Sequence, residues 1–314
     1  MSTGPVKVLF AAREQDWDPY REVLARALAE NGVAADLSRD HPPGEVDWIV
    51  YAPGGPVADF SPFTRAKGVL SLWAGVERIV GNPTLTMPLT RMADEGLRQG
   101  MVEWVAGHAL RHHLGIDRHI LHQDGVWRHE APKLARDRPV TVLGLGELGL
   151  ACALALAGLG FPVTGWSRRP TAEPRLARTL SGAGGLPEAL RDAEIVLLLL
   201  PLTAGTENLM DAERLALPAR GFVLLNPGRG ALIDDAALLA ALDSGQVGHA
   251  TLDVFRQEPL PPDHPFWGHP GVTVTPHIAA ETRADTASRV IAENVRRGEA
   301  GEPLLYLVDR GAGY

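Results

Sequence analysis

The six residues Gly144-Leu145-Gly146-Glu147-Leu148-Gly149 constrain this chain more than any other feature. They stand between a short apolar run, Val140 to Leu143, and an Ala/Leu-rich stretch that reads as a helix to Leu159. Strand, glycine turn and helix in that order form the phosphate-cradling start of a doubly wound α/β sheet. The first glycine permits the tight turn, the second lets the backbone approach a pyrophosphate, and the third lets helix and strand pack closely. The amides of Glu147 and Leu148 are expected to point at the phosphates from the helix N-terminus. Three glycines alone are weak punctuation; the flanking strand and helix decide for a dinucleotide.

About twenty residues on, at the end of the next strand, an Asp or Glu would bind the ribose 2′-hydroxyl of NAD. Here the chain reads Trp166-Ser167-Arg168-Arg169. Two guanidinium groups replace the carboxylate, which suits a 2′-phosphate through charge-assisted contacts from Arg168 and Arg169 beside Ser167. The expected cofactor is NADPH, with NADH as the less favoured alternative; a solvated arginine pair is the bland reading.

Apolar runs bounded by Gly, Pro or Asp alternate with amphipathic stretches throughout, the pattern of a parallel α/β sheet. Strands are expected at Val6 to Phe10, Trp48 to Tyr51 and Val69 to Trp73, with a helix from Pro19 to Glu30 closed by Asn31-Gly32. The Pro- and Thr-rich passage 82–90 leads to a long helix from Asp94 to about Leu114, then a polar loop to Pro139. Beyond it, strands are expected at 140–143, 163–166, 195–200, 222–225, 250–253 and 272–275, with helices at 186–191 and 282–297. The expected division is residues 1–99 with 281–314 as one domain and 100–280 as the dinucleotide domain.

Composition removes several classes. Lys and Arg number 30 against 38 Asp and Glu, a formal charge of −8, so no basic footprint for nucleic acid is present. Cys152 is the only cysteine, which excludes an intramolecular disulfide and fits a reducing, cytoplasmic setting. Its apolar neighbours Ala151, Ala153 and Leu154 suggest an inert buried thiol. The longest apolar stretches, Ile195 to Leu200 and 150–159, fall short of the roughly 18 residues of a membrane span, so no membrane partner is expected. The segment Met1 to Arg13 has no leader pattern and reads as the first strand. His108 and His112 stand four apart on the long helix, but no HExxH glutamate accompanies them; no metal is expected, and with His113 they read as surface or interface groups. Hydrolase and P-loop nucleophile motifs are missing.

Three polar residues follow strand ends, where open α/β sheets bind ligands: Arg229 in Asn226-Pro227-Gly228-Arg229-Gly230, Glu258 after Asp253-Val254-Phe255, and His277 after Thr275-Pro276. Together they suit reduction of a 2-oxo acid. Arg229 can fork the substrate carboxylate and carbonyl, His277 can protonate the carbonyl oxygen as hydride arrives, and Glu258 can orient the imidazole and favour its charged form. Pro227, Gly228, His277 and Ala279, at the same strand ends, are further candidate cofactor contacts. Singly, each polar residue also reads as an ordinary loop group.

Taken with Leu200-Pro201-Leu202-Thr203, Glu258-Pro259-Leu260 and Thr275-Pro276-His277-Ile278-Ala279, these motifs resemble the D-isomer-specific 2-hydroxyacid dehydrogenases over nearly the whole chain. Trp166-Ser167-Arg168, Glu258 to Pro262 and Val308-Asp309-Arg310 look most like the glyoxylate/hydroxypyruvate reductase A subgroup. The resemblance implies a Rossmann cofactor domain inserted in a smaller flavodoxin-like substrate domain, both doubly wound parallel sheets. It implies Arg229, Glu258 and His277 as the catalytic triad, Asp253 near the nicotinamide carboxamide, and Leu200, Pro201 and Thr206 lining the cofactor. It also makes Ser71 to Glu77 the substrate loop, with the amides of Ala74 and Gly75 on the substrate carboxylate. There the chain departs from the usual Gly-Ala-Gly-Val-Asp, with Trp73 and Glu77 at the first and last places, so Trp73 is expected to narrow the pocket. Trp48 is carried as a further substrate contact, with a core role as its alternative. The segment Met101 to Val105 falls on the helix that the family uses at the cofactor and in dimer contact, and a homodimer is implied.

The function so reached is NADPH-dependent reduction of a small 2-oxo acid, glyoxylate or hydroxypyruvate first. Phosphoglycerate, lactate or formate dehydrogenases are the rivals within the family, and a dinucleotide-sensing scaffold is the rival outside catalysis. No residues are expected to remain for a regulatory domain.

Overall fold

The structure, a computed structural model, describes residues 4–314. Residues 1–3, where the reading for a leader began, lie outside them. The chain divides into two compact units, Met1–Leu97 with Glu281–Tyr314, and Arg98–Ala280.

The first unit opens with strand β1 (Val6–Ala11), helix α1 (Glu14–Glu30), and strands β2 (Ala35–Ser38), β3 (Trp48–Tyr51), β4 (Gly68–Ser71) and β5 (Leu89–Thr90). All pair in parallel, in the order β2-β1-β3-β4-β5. The central strands β3 and β4 are buried and mostly apolar: Trp48, Ile49, Val50, Val69 and Leu70 are at most 1% exposed, and burying each such side chain is worth about 1.5–3 kcal/mol. Helix α1 starts five residues before the expected Pro19. Asp16 accepts from the Arg13 backbone amide at 3.2 Å and its own amide donates back to the Arg13 carbonyl at 3.0 Å, closing the first turn. Gly32, at φ +73°, ends the helix after Asn31. Strand β4 stops at Ser71 rather than Trp73, which leaves Leu72 onward to form a loop.

Helix α2 (Glu95–Leu114) spans the division between the units, and α3 (Ile116–Leu121) follows it. The second unit then runs β6 (Val140–Leu143), α4 (Glu147–Gly158), β7 (Val163–Ser167), β8 (Arg178–Ser181), α5 (Gly182–Leu190), β9 (Ile195–Leu198), α6 (Ala212–Leu215), β10 (Phe222–Asn226), α7 (Asp235–Asp243), β11 (Val247–Leu252) and β12 (Val272–Val274). Its parallel sheet has the order β12-β11-β10-β9-β6-β7-β8. The winding direction reverses between β6 and β9, which makes their carboxyl ends the topological switch point where ligands of such sheets bind. Apolar side chains cover both faces of this sheet, Leu143, Val196, Leu198 and Leu224 on one and Val140, Val142, Leu197 and Leu225 on the other. The two parallel doubly wound sheets expected from the sequence are therefore both present.

Helix α8 (Ala284–Glu299) returns to the first unit and packs on α1. The chain end is held there too: the Val308 amide donates to the Leu89 carbonyl at 2.9 Å, and Arg310 donates to the carbonyls of Val80 and Asn82. Among the described residues, no helix is long and apolar enough to cross a membrane, and no group of three His, Cys, Asp or Glu is placed to hold a metal.

The histidines of α2 need correction. His113 is buried, with its ring edge-on to Phe161 at 5.0 Å. His112 is turned inward, 2.9 Å from the Thr251 hydroxyl and with its ring 4.7 Å from that of His249. These side chains lie on the apolar side of α2, so they pack instead of facing solvent.

Candidate active site

The glycine turn sits at the switch point of the second unit. Gly144 has φ +107°, and a side chain there would run into the Leu199 carbonyl at the end of β9. One on Gly149 would run into the Gly144 carbonyl, so α4 and β6 approach as closely as only glycine allows. Gly146 differs: a Cβ there would meet nothing within 4 Å. The turn is thus tight beneath and open in front of Gly146. The amides of Glu147 and Leu148 open α4 and have no acceptor within the helix, so they present positive dipole ends to that open space. A dinucleotide pyrophosphate fits this cradle.

At the end of β7, the Ser167 hydroxyl donates to the Arg169 carbonyl at 2.7 Å, folding the loop back on itself. The indole N–H of Trp166 anchors the strand end to the Gly182 carbonyl at 2.9 Å. Arg168 and Arg169 are exposed on this loop, and no carboxylate stands at the strand end to select a free 2′-hydroxyl. After β9, Leu200 is buried, and the Thr206 hydroxyl accepts from the Thr203 amide at 2.8 Å and donates to the Pro201 carbonyl at 2.7 Å. That loop is held by its own hydrogen bonds.

Arg229 follows β10 on a turn fixed by Asn226, which is 1% exposed. The Asn226 side chain accepts from the Gly228 amide at 3.1 Å and donates to the Arg229 carbonyl at 2.9 Å. Pro227 and Gly228 are buried within the turn. Glu258 lies on the loop after β11 and accepts from the Phe255 amide at 2.9 Å with Oε1. Its other oxygen, Oε2, takes a hydrogen bond from Nδ1 of His277 at 2.7 Å. The His277 imidazole is thereby left with Nε2 as its free ring nitrogen.

The electrostatics follow from that pair. The hydrogen bond to Glu258 raises the His277 pKa above its ordinary value, against the opposing effect of burial, with the charges of Glu258 and Asp253 adding to the rise. Burial works to raise the Glu258 pKa, but the hydrogen bonds from His277 and the Phe255 amide and the positive charges of His277 and Arg229 outweigh it, and the net shift is downward. A carboxylate beside an imidazolium is the favoured state. Arg229 is close enough to act on both groups.

His277 holds a positive φ of +56°, a conformation costly for a residue with a side chain and one that persists only where its surroundings enforce it. Asp253 enforces it. Its carboxylate has no exposed surface; Oδ1 accepts from the Thr275 hydroxyl at 2.6 Å and the Ile278 amide at 2.9 Å, and Oδ2 from the Ala279 amide at 2.9 Å. The His277 amide donates to the Asp253 carbonyl at 2.9 Å. Asp253, expected at the nicotinamide carboxamide, lies beneath the histidine turn, and Ala279, a candidate cofactor contact, is buried with its amide on Asp253. Trp104 of α2, within the stretch Met101 to Val105 carried over by resemblance, donates its indole N–H to the Thr275 hydroxyl at 3.3 Å. A tryptophan at a helical position reads as core from sequence alone.

In the first unit, the loop after β4 is shaped by Ser71. The Trp73 amide donates to the Ser71 hydroxyl at 3.1 Å, the Met92 amide donates to the Trp73 carbonyl at 3.0 Å, and the Thr282 hydroxyl donates to the Leu72 carbonyl at 2.8 Å. Trp73, Ala74 and Gly75 are partly exposed, and the Arg13 guanidinium lies 5.7 Å over the Trp73 ring. Trp48 does not join them. It is 1% exposed, fills the space beside Gly68 and Gly298, and donates its indole N–H to Glu299 at 2.8 Å. It is core, because β3 is the middle strand and its side chains meet α8.

The description of the D-isomer-specific 2-hydroxyacid dehydrogenases, NAD-binding domain, matches residues 105–279. Glyoxylate/hydroxypyruvate reductase A from Serratia proteamaculans is 38% identical over 258 residues, 80% of this chain and 82% of that protein. A D-isomer-specific 2-hydroxyacid dehydrogenase from Xanthobacter autotrophicus Py2, solved with NADPH and MES, is 39% identical with a TM-score of 0.91, covering 99% of this chain and 100% of that one. The NADPH-dependent glyoxylate/hydroxypyruvate reductase of Sinorhizobium meliloti, solved with NADP and sulfate, is 33% identical with a TM-score of 0.84 over 99% of this chain and 100% of that one.

Proposed function

The chain belongs to the D-isomer-specific 2-hydroxyacid dehydrogenases, and within that family we propose that it reduces small 2-oxo acids, glyoxylate and hydroxypyruvate first, with NADPH. The observation that carries this reading is the 2.7 Å pair of His277 and Glu258 under the influence of Arg229. It is a proton donor held charged, next to a guanidinium that can take a carboxylate and a carbonyl oxygen.

NADPH, when bound, supplies the hydride, two electrons and one hydrogen nucleus, to the carbonyl carbon. The pyrophosphate is held by the open face at Gly146 and the amides of Glu147 and Leu148, and the 2′-phosphate by Arg168 and Arg169 with Ser167. The loop of Leu200, Pro201 and Thr206, with Pro227 and Gly228, lines the rest. Arg229 fixes the substrate carboxylate and polarises the carbonyl. As negative charge develops on the carbonyl oxygen, the Nε2 proton of His277 moves to it, and the alcohol is complete. Glu258 stabilises the imidazolium before the transfer and keeps Nε2 aimed afterwards. Trp73 limits the substrate to a small one.

Relatives of the same family that bind NADPH or NADP support the choice of cofactor, as does the subgroup name of the relatives for the substrates. The reading extends to a homodimer in the cytoplasm. Ile120, Leu121, Val126 and Trp127 are 59–91% exposed on α3 and the following loop, an apolar strip suited to a second copy, and the buried lone thiol of Cys152 suits a reducing compartment.

The test is a scan of 2-oxo acids with NADPH and NADH, followed at the absorbance of the reduced nicotinamide. Oxidation of NADPH by glyoxylate and hydroxypyruvate is expected. Absence of turnover with every acid and both cofactors would remove the proposal.

A further inference from the structure

Three loops of the second unit leave the carboxyl ends of neighbouring strands: 199–211 after β9, with Thr206; 227–234 after β10, with Arg229; and 253–264 after β11, with Glu258. One side chain, Arg256, connects them. Its Nη2 carries two N–H groups, and both are engaged, one by the Asn208 side-chain oxygen and one by the Ile233 backbone carbonyl. Nε lies 3.5 Å from Asp235 Oδ2 at the start of α7, and Nη1 lies 3.9 Å from Glu207 Oε1. A guanidinium paired with surface carboxylates alone would contribute little. Here two neutral acceptors on separate loops share one nitrogen, which makes the arginine a junction.

The backbone repeats the connection. A Cβ on Gly230 would run into the Phe255 carbonyl carbon and the Arg256 nitrogen, so the turn that follows Arg229 rests directly on the chain leading to Glu258. The Asn208 amide donates to the Ala231 carbonyl at 2.8 Å, and the Met210 amide to the Leu232 carbonyl at 2.9 Å, seating the first loop on the second. Asn208 itself holds a φ of +50°, which asparagine tolerates better than most side chains. Two residues beyond Arg256, Glu258 takes the Phe255 amide on Oε1 at 2.9 Å and His277 Nδ1 on Oε2 at 2.7 Å. A path of hydrogen bonds and close backbone packing thus runs from Asn208 through Arg256 to the proton donor.

We propose that Arg256 is a positioning residue for the reduction: by joining Asn208 to Ile233 it holds the loop that lines the cofactor and the loop of Glu258 as one body, and so keeps the Glu258 carboxylate on His277. This rests on the 2-oxo acid reductase reading above and adds to it a residue outside the triad. Arg256 acts through Glu258 and Asn208 and takes no part in the proton transfer. The groups that act on the imidazole are Glu258, Asp253 and Arg229. Loss of the Arg256 charge alone would favour the charged imidazole and move the alkaline limb of the pH profile higher. A loosened Glu258 weakens the bond that favours the charged form and moves the limb lower, so the two effects differ in sign.

The test is the pH profile of kcat/KM for glyoxylate at saturating NADPH, with KM for NADPH measured beside it, in Arg256→Met, Asn208→Gly and the double variant. Arg256→Met is expected to move the alkaline limb lower by about half a pH unit or more and to raise KM for NADPH about threefold to tenfold, as loss of a hydrogen-bonded junction would. Asn208→Gly removes no charge and keeps the positive φ, which glycine adopts freely. It is expected to move the limb in the same direction although it lies on the cofactor side of the junction. In the double variant the limb should fall no further than in Arg256→Met, because members of one network do not add. A limb that stays or rises in Arg256→Met, additive shifts in the double variant, or a KM for NADPH unchanged in both single variants overturns the proposal. A purely structural role would lower the thermal midpoint and leave the limb in place. If Arg256→Met does not fold, Asn208→Gly decides alone, and a limb at the wild-type position overturns the proposal. Wild type inactive on every 2-oxo acid would bring down the reductase reading and this with it, whereas an active wild type with an unmoved limb in the variants brings down this inference alone.

Discussion

His277 Nδ1 lies 2.7 Å from Glu258 Oε2, and the histidine that makes this bond sits at a positive φ of +56° imposed by the hydrogen bonds of Asp253. Position and proton affinity of the imidazole are therefore set by two different carboxylates, one half-exposed and one buried. Because the bond to Glu258 raises the His277 pKa, the proton needed for reduction is held to higher pH than on a free imidazole and is lost as pH rises through that raised value. Reductive kcat/KM is expected to fall on the alkaline side. In Glu258→Gln the supporting charge is gone, the His277 pKa drops back, and the alkaline limb moves to lower pH with activity about tenfold to a hundredfold lower at neutrality. His277→Ala should lose about 10²–10⁴-fold in kcat while still binding NADPH. A pH profile of Glu258→Gln superimposable on wild type would refute the linkage.

Cofactor choice is expected to rest on the loop after β7. Arg168→Ser should raise KM for NADPH about tenfold and leave KM for NADH nearly unchanged, since a single charge-assisted contact to phosphate is being removed. Titration of both reduced cofactors at fixed 2-oxo acid measures it. Equal losses for the two would mean that the arginine supports the loop instead of reading the 2′-phosphate.

The parts of this architecture that sequence reveals are those where one physical requirement dominates. Strands β6, β9 and β10 are buried on both faces and so appear as predominantly apolar runs. The glycine turn is legible because Gly144 and Gly149 have no tolerable replacement. Edge and near-edge strands were missed for the opposite reason: β2 and β8 are half exposed and mix polar with apolar residues, and β5 is two residues long in a proline-rich passage. Helix α7 was missed although Asp234, whose side chain accepts from the Ala237 amide at 3.0 Å, is a cap that the sequence displays. At the site, Arg229, Glu258 and His277 are legible because charged groups after buried strands have few structural uses. The direction of a side chain is not legible, and this is why Trp48 reads as a substrate contact when it is turned into the interior.

The glycine turn separates folding from binding within six residues. At Gly149 an added methyl collides with the Gly144 carbonyl, whereas at Gly146 it meets nothing within 4 Å. Gly149→Ala is expected to force α4 away from β6 and to cost several kcal/mol, as steric clashes in a packed core do, seen as a large fall in thermal midpoint or loss of soluble protein. Gly146→Ala is expected to keep the wild-type midpoint within a few degrees yet weaken NADPH about tenfold, because the methyl occupies the space that a pyrophosphate would use. Calorimetric titration with NADPH beside a thermal melt distinguishes the two; equal affinity in Gly146→Ala would show that the phosphates lie elsewhere.

Acid stability is expected to be governed by a histidine pair outside the catalytic residues. His112, on α2, and His249, on β11, are packed ring against ring, with their Nε2 atoms 2.9 Å from the Thr251 hydroxyl and 2.8 Å from the Thr273 hydroxyl. Burial, together with neighbouring positive groups including Arg111, pushes His112 down to about 3 and His249 down to about 4. In the unfolded chain both titrate near the ordinary 6.5, so between that pH and the folded values the unfolded state binds more protons. Stability from this source is complete above pH 6.5 and is lost progressively as pH falls toward 4. Thermal midpoints measured from pH 7 to pH 4.5 should decline in wild type, and His112→Gln, which can still bond Thr251 but takes up no proton, should flatten the decline. An unchanged slope in that variant would place the acid sensitivity in the carboxylates instead.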